Sequence, residues 1–291
     1  MARDSKIEVA GINLRIPEDK KRDYPALVKM LFDSREGHRV YGDSHLAMTN
    51  FDLTYNTGSI AKYTQIDLDG EWFDTATFDT ASQTDVSKVN IPKNLKPNLS
   101  TFFFWLDADL HTIAFEKYSD SKALSLDAVK CYFDAALAKP NVVARFGRVE
   151  ADIVNSHLAA RKLLNQPNLK EIKVTIRLPN SDDVGDDLAA VIEERLRDQR
   201  ATEYEETLKA KGQDSIKPNE RTKKLAIVAA ENGDVVVKCV VNGVMQTQKA
   251  AQTPLIEAEK YKANESTWPH FVASAKRLFS KIKSAREQVR G

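Results

Sequence analysis

Residues 100–117 read STFFFWLDADLHTIAFEK, the densest apolar stretch of the 291-residue chain. Phe102, Phe103, Phe104, Trp105 and Leu106 follow one another without a polar break, which predicts a strand covered by protein on both faces. Asp107 to Leu110 supply a turn, and Ile113, Ala114 and Phe115 lead back as the second strand of an antiparallel hairpin. The rest of the N-terminal half must therefore complete a sheet.

Upstream, the alternation from Ile7 to Ile16 slips once at Gly11, which predicts a bulge or a close backbone approach. Pro17 ends that strand, and DYPALVKMLFD (23–33) has the spacing of a short helix with proline near its start. Strand patterns recur at 40–41, 46–53 and 60–68, separated by glycine turns, whereas residues 75–98 have the composition of a long loop. Beyond the hairpin, 124–137 is an amphipathic helix with Ser125 as its N-cap, and 141–154 alternates again.

A division near Val149 gives two lobes, 1–149 and 150–291. The second begins with a short helix at 157–164 and an alternating strand through Ile172, Val174, Ile176 and Leu178. A long charged helix is predicted over 184–211, with Asp182, Asp183, Asp186 and Asp187 at its positive end. Leu225–Ala229, the E-N-G-D turn at 231–234, VVVKCVV and the N-G turn at 242–243 predict two consecutive hairpins. A helix from about Trp268 to Arg290 closes the chain. The predicted class is α+β: two lobes, each an antiparallel sheet with packed helices, ending in a long basic helix.

Composition bounds function only loosely. No apolar run is long enough to cross a bilayer and no signal-peptide core follows the first charges, so a cytoplasmic protein without membrane insertion is expected. Cys131 and Cys239 lie far apart in no ligand-like spacing and read as buried thiols. The formal net charge is +1, but the last 24 residues contribute +5, from Lys276, Arg277, Lys281, Lys283, Arg286 and Arg290 against Glu287. Lys276, Lys283 and Arg290 recur every seven residues on one flank of the helix, and Lys217, Arg221, Lys223 and Lys224 precede them. Cations so arranged neutralise phosphates and gain from counterion release. A solvated helix exterior explains the same residues without a ligand.

The D-L-D-G-E-W segment places Asp67, Asp69 and Glu71 at alternate positions, the arrangement a Mg²⁺ site would need if a strand ran through them. An Asp- and Gly-rich turn is the simpler reading. No nucleophile elbow, dinucleotide fingerprint or phosphate-binding loop is present.

The order of K-I-E-V-A-G-I-N-L-R-I (6–16), I-D-L-D-G-E-W-F-D (66–74), H-x-I-x-F-E (111–116) and E-N-G-D ahead of a basic helix resembles an uncharacterised bacterial phage-defence family. It is also similar to RexA-like phage-exclusion proteins, and more loosely to the KwaB family. That resemblance implies a cytosolic, homodimeric protein that binds DNA without a sequence code, in the company of a second defence protein. It carries over no contact residue, because Ile227 and Ala229 stand where the RexA-like pattern has cations.

The reading is thus a non-catalytic, non-specific binder of nucleic acid, chiefly duplex DNA, without cofactor, using Lys223, Lys224, Lys276, Arg277, Lys283 and Arg290. Its alternatives are a Mg²⁺-dependent nuclease built on Asp67, Asp69 and Glu71, and a non-catalytic oligomeric scaffold.

Overall fold

The computed structural model describes residues 4–17, 19–177, 187–250 and 253–290. It is an α+β protein with eight helices among the described residues, the shortest of them α2 (Gln83–Val86), and antiparallel sheets, the larger of them strongly curled.

The hairpin at 100–117 lies at the centre of the larger sheet. Strands β1 (Asp4–Arg15), β2 (Gly37–Tyr41), β3 (Ser44–Asp52), β4 (Thr57–Thr64), β7 (Ser100–Asp107), β8 (Thr112–Ser119) and β10 (Glu150–Ile153) run in the order β10-β1-β8-β7-β4-β3-β2. Two minor pairs lie outside this path: β5 (Phe73–Asp74) with β6 (Asp79–Thr80), and β9 (Lys122–Ala123) with β8. Both faces of β7 are covered, as its unbroken apolar run requires. Phe102, Phe104 and Leu106 enter a core with Tyr24, Leu27 and Leu31 of α1 (Tyr24–Asp33) and Val129 and Phe133 of α3 (Leu126–Leu137). Phe103 and Trp105 face α8 (Thr267–Arg290), with ring centroids 5.8 Å and 5.5 Å from Phe271 and Phe279. The Ser125 hydroxyl accepts from Ala128 N–H and caps α3 as predicted.

The slip in β1 marks a change of the face that is apolar. Ile7 and Val9 face α8, whereas Ile12 and Leu14 face the opposite core. Gly11 sits on the α8 side, where a Cβ would lie 3.2 Å from Thr112 of β8 and 3.3 Å from Val154 just after β10, so the close approach is to side chains of the two flanking segments, with Leu278 of α8 at an ordinary 3.5 Å. A register irregularity against β8 falls at Glu8/Val9.

Residues 140–146 form a helix, α4 (Pro140–Phe146), with proline in its first turn, and only the end of the alternating segment is a strand, β10. The long charged helix is two elements: α6 (Asp187–Asp198) and β12 (Glu203–Lys209). In β12 the half-buried residues Tyr204, Glu206 and Leu208 alternate with exposed ones, so period two wins over helical charge patterning. Leu178, Val184, Asp182, Asp183 and Asp186 lie outside the described residues, as does the side chain of Asp187. Leu225–Ala229 belong to helix α7 (Glu220–Asn232), capped by the Asn219 side chain, and not to a first hairpin. Thr222 and every residue of the run Leu225–Ala230 are buried, so this part of the helix is covered all round, which is why its sequence is as continuously apolar as a buried strand.

The smaller sheet has the order β12-β11-β13-β14, with β11 (Leu169–Arg177), β13 (Gly233–Val241) and β14 (Val244–Lys249). The N-G pair turns β13 into β14 as expected; Asn242 and Gly243 both have positive φ. Its core also takes residues of α5 (His157–Leu164), α6 and α7.

The division at 149/150 does not follow the sheets. β10 joins β1, and a strand that the sequence did not announce, β15 (Ile256–Lys262), pairs with β1 from Asp4↔Lys262 to Ala10↔Ile256. The terminal helix therefore packs on the first sheet, with Phe271, Ala275, Leu278 and Ile282 against Ile7, Val9 and Val154. A salt-bridged chain links the two sheets: the buried Arg15 of β1 binds Glu150 and Asp152, and Arg177 of β11 reaches Asp152 at 2.7 Å.

Candidate nucleic-acid interface

Helix α8 carries the cations that the sequence singles out, and β15 decides which of them remain available. Glu257 and Glu259 lie beside Val9 and Ile7 in register, on the α8 side of the sheet. Arg277 binds Glu259 and approaches Glu257, while Lys281 binds Glu257. Arg286 is buried and donates to the Leu110 carbonyl. These cations anchor the helix, which is a structural task.

Lys276 and Lys283 are different. Both are exposed on the outer side of α8, and neither has an ion-pair partner among the described residues. Seven residues of helix separate them, about 10.5 Å along its axis. The Arg290 side chain lies outside the described residues. The structure thus keeps two of the stripe's predicted positions outward and removes Arg277 to an ion-paired flank.

In α7 the predicted cations fall on the first two turns. Lys223 is ion-paired with Glu220 at 2.7 Å, and Lys224 and Arg221 are exposed, as is Lys217 just before the helix.

At the start of α8, His270 is held between Glu259 at Nδ1 (2.7 Å) and Glu265 at Nε2 (2.9 Å), and stacks on Tyr261 at 4.6 Å. The Glu259 hydrogen bond is the main cause that raises the His270 pKa above its ordinary value. Burial would raise the Glu259 pKa, but hydrogen bonds from His270 and Arg277 bring it below the usual carboxylate range. Tyr261 and Thr267 both donate to Asp120, tying the helix start to the end of β8. No spacing in the sequence marks this cluster, because its members come from three separate segments.

The carboxylates of the nuclease alternative are not arranged along a strand. β4 ends at Thr64, and the Asp67 side chain accepts the Asp69 N–H at 3.0 Å, an Asx turn. Among the described residues no three His, Cys, Asp or Glu side chains come together as metal ligands would. Asp67 and Asp69 instead border an open cleft of about 710 Å³ shared with Arg39, His45, Lys93 and Lys96; Glu71 is not part of its wall.

Fold and surface together define an α+β protein with two main antiparallel sheets, whose C-terminal strand and helix return to the first sheet and present an outward lysine pair. The chain belongs to the DUF4747 family, a domain of unknown function whose family model matches residues 5–276. No curated protein matches it significantly. No helix among the described residues is long and apolar enough to cross a membrane.

Proposed function

We propose that this protein binds nucleic acid through phosphate contacts along the outer face of α8, without catalysis and without reading sequence, as a component of an antiviral or phage-exclusion system. The observation that carries the binding reading is the exposed pair Lys276 and Lys283. β15 supplies carboxylates to the cations on the neighbouring flank and leaves these two ammonium groups facing water. Lysine is a point charge suited to phosphate, and neither residue offers the planar bidentate geometry that distinguishes bases. The exposed Arg221 and Lys224 of α7 supply further positive charge. The defence setting rests on the sequence resemblance alone.

The test is a mobility-shift assay of the full chain with duplex and single-stranded DNA and RNA, with and without Mg²⁺, followed by denaturing gels. Shifted but intact duplex DNA is the expected result. No shift of any of them at low salt overturns the proposal, and Mg²⁺-dependent fragments would replace it with the nuclease reading.

A further inference from the structure

Strands with open edges are normally protected from pairing with another chain by charge, proline, shortness or cover. The terminal strands of this protein differ sharply in that respect. β12 (EYEETLK) has charges at Glu203, Glu205, Glu206 and Lys209, and β15 (IEAEKYK) at Glu257, Glu259, Lys260 and Lys262. β10 is four residues long and its Asp152 is met by Arg177. β2 packs beneath α3, with His38 against Tyr132 at 5.5 Å.

Among the described residues, β14 (VMQTQK) has none of these protections. Its one charge is Lys249 at the end, Val244 is 62% and Met245 54% exposed, and among the described residues it pairs with β13 alone. The two-residue turn at Asn242–Gly243 makes Val241↔Val244 the hydrogen-bonded closing pair. By alternation, Met245, Thr247 and Lys249 then direct their backbone N–H and C=O groups away from β13, towards the open edge.

We propose that the occupant of this edge is β14 of a second copy of the chain, joined antiparallel about a two-fold axis perpendicular to the sheet. Such an axis preserves the faces of the sheet, so odd-numbered residues must meet odd-numbered residues. The register that uses every outward backbone group within the strand centres on Thr247. Thr247 then lies opposite its own counterpart, Met245 opposite Lys249 and Gln246 opposite Gln248. Each pairing is compatible: two hydroxyls hydrogen-bond, the lysine stem covers the thioether, and the amides exchange hydrogen bonds, with no like charges opposed. The same symmetric pairing at β12 sets Glu206 against its own counterpart at the centre of the strand, like charge against like. The result is one continuous eight-stranded sheet across the dimer, independent of the nucleic-acid reading.

Sedimentation velocity of the full chain at micromolar concentration is expected to give a dimer. Thr247→Pro removes an outward N–H without touching the β13 ladder, and Met245→Lys sets lysine against Lys249; each is expected to give a monomer with an unchanged circular dichroism spectrum. In a Cys131→Ser background, Thr247→Cys is expected to form an interchain disulfide on mild oxidation, and Gln246→Cys is not. A monomeric parent protein, or a dimer that survives both edge variants, overturns the proposal. Crosslinking at 246 in place of 247 overturns the register.

Discussion

The imidazole of His270 bridges two carboxylates, with Nδ1 2.7 Å from Glu259 and Nε2 2.9 Å from Glu265, and so ties the first turns of α8 to β15 and to the loop between them. Its raised pKa fixes the sign of a pH effect. The contribution is fully present below the unfolded-state pKa of about 6.5, provided Glu259 is ionised, and is lost as pH rises through the folded pKa. Because Glu259 is shifted down, the acid-side loss comes below the ordinary carboxylate range. The melting temperature of the parent protein should exceed that of His270→Asn at pH 5.5, by the equivalent of roughly 0.5–1 kcal/mol, and the gap should close by pH 9. A gap that widens with pH would show that the ring is not protonated in the folded state.

Asp152 makes the opposite case, a buried charge that its partners cannot do without. Arg15 is 4% exposed in its side chain and binds Asp152 and the half-buried Glu150. Asp152→Ala leaves that guanidinium short of a carboxylate in a low-dielectric site, at a cost of about 3 kcal/mol. Thermal denaturation should show a fall of roughly 5–10 °C. Glu203→Ala, which removes the longer 3.6 Å contact to Arg177 at the surface, should cost well under about 1 kcal/mol. Equal effects of the two changes would contradict this ranking.

Gly58 tests the packing at the centre of the large sheet. A Cβ there would lie 2.3 Å from the Asn50 carbonyl oxygen and 2.5 Å from the Phe104 ring. Gly58→Ala should therefore destabilise by about 1–3 kcal/mol, measured by urea denaturation. Adding Phe104→Leu should not restore stability, since the Asn50 contact is to backbone. Recovery to the parent midpoint in the double variant would place the conflict at the ring alone.

For phosphate binding, the division of labour on α8 predicts different salt slopes. Lys276→Gln with Lys283→Gln should flatten the log–log slope on duplex DNA by roughly two units and leave sequence preference unchanged. Arg277→Gln should leave the slope near its parent value while lowering thermal stability slightly, because that guanidinium is already held by Glu259. A flattening by Arg277→Gln equal to that of the lysine pair would mean that the ion pair opens to meet phosphate.

The sequence by itself determined the elements whose burial has a single period. The run Phe102–Leu106 required cover on both faces, DYPALVKMLFD and LSLDAVKCYFDAAL required amphipathic helices, and Asn242–Gly243 required a tight hairpin, because each of these signals is local. Where two periods competed, it misled. Leu225–Ala229 is as apolar as a strand, yet Asn219 caps a helix through it, and Glu203–Lys209 is as charged as a helix exterior, yet pairs with β11 from Arg177↔Glu203 to Glu171↔Lys209. Tertiary structure alone decided the placement of β15. Its inward residues include Glu257 and Glu259, so no apolar alternation announces it, and its stability comes from pairing with β1, some 250 residues away in sequence, and from the cations of α8. That long-range pairing returns the terminal helix to the first sheet and sorts its cations. Arg277, Lys281 and Arg286 are held by protein partners, while Lys276 and Lys283 face solvent, a distinction that spacing along a helix cannot make because it depends on what lies across from each flank.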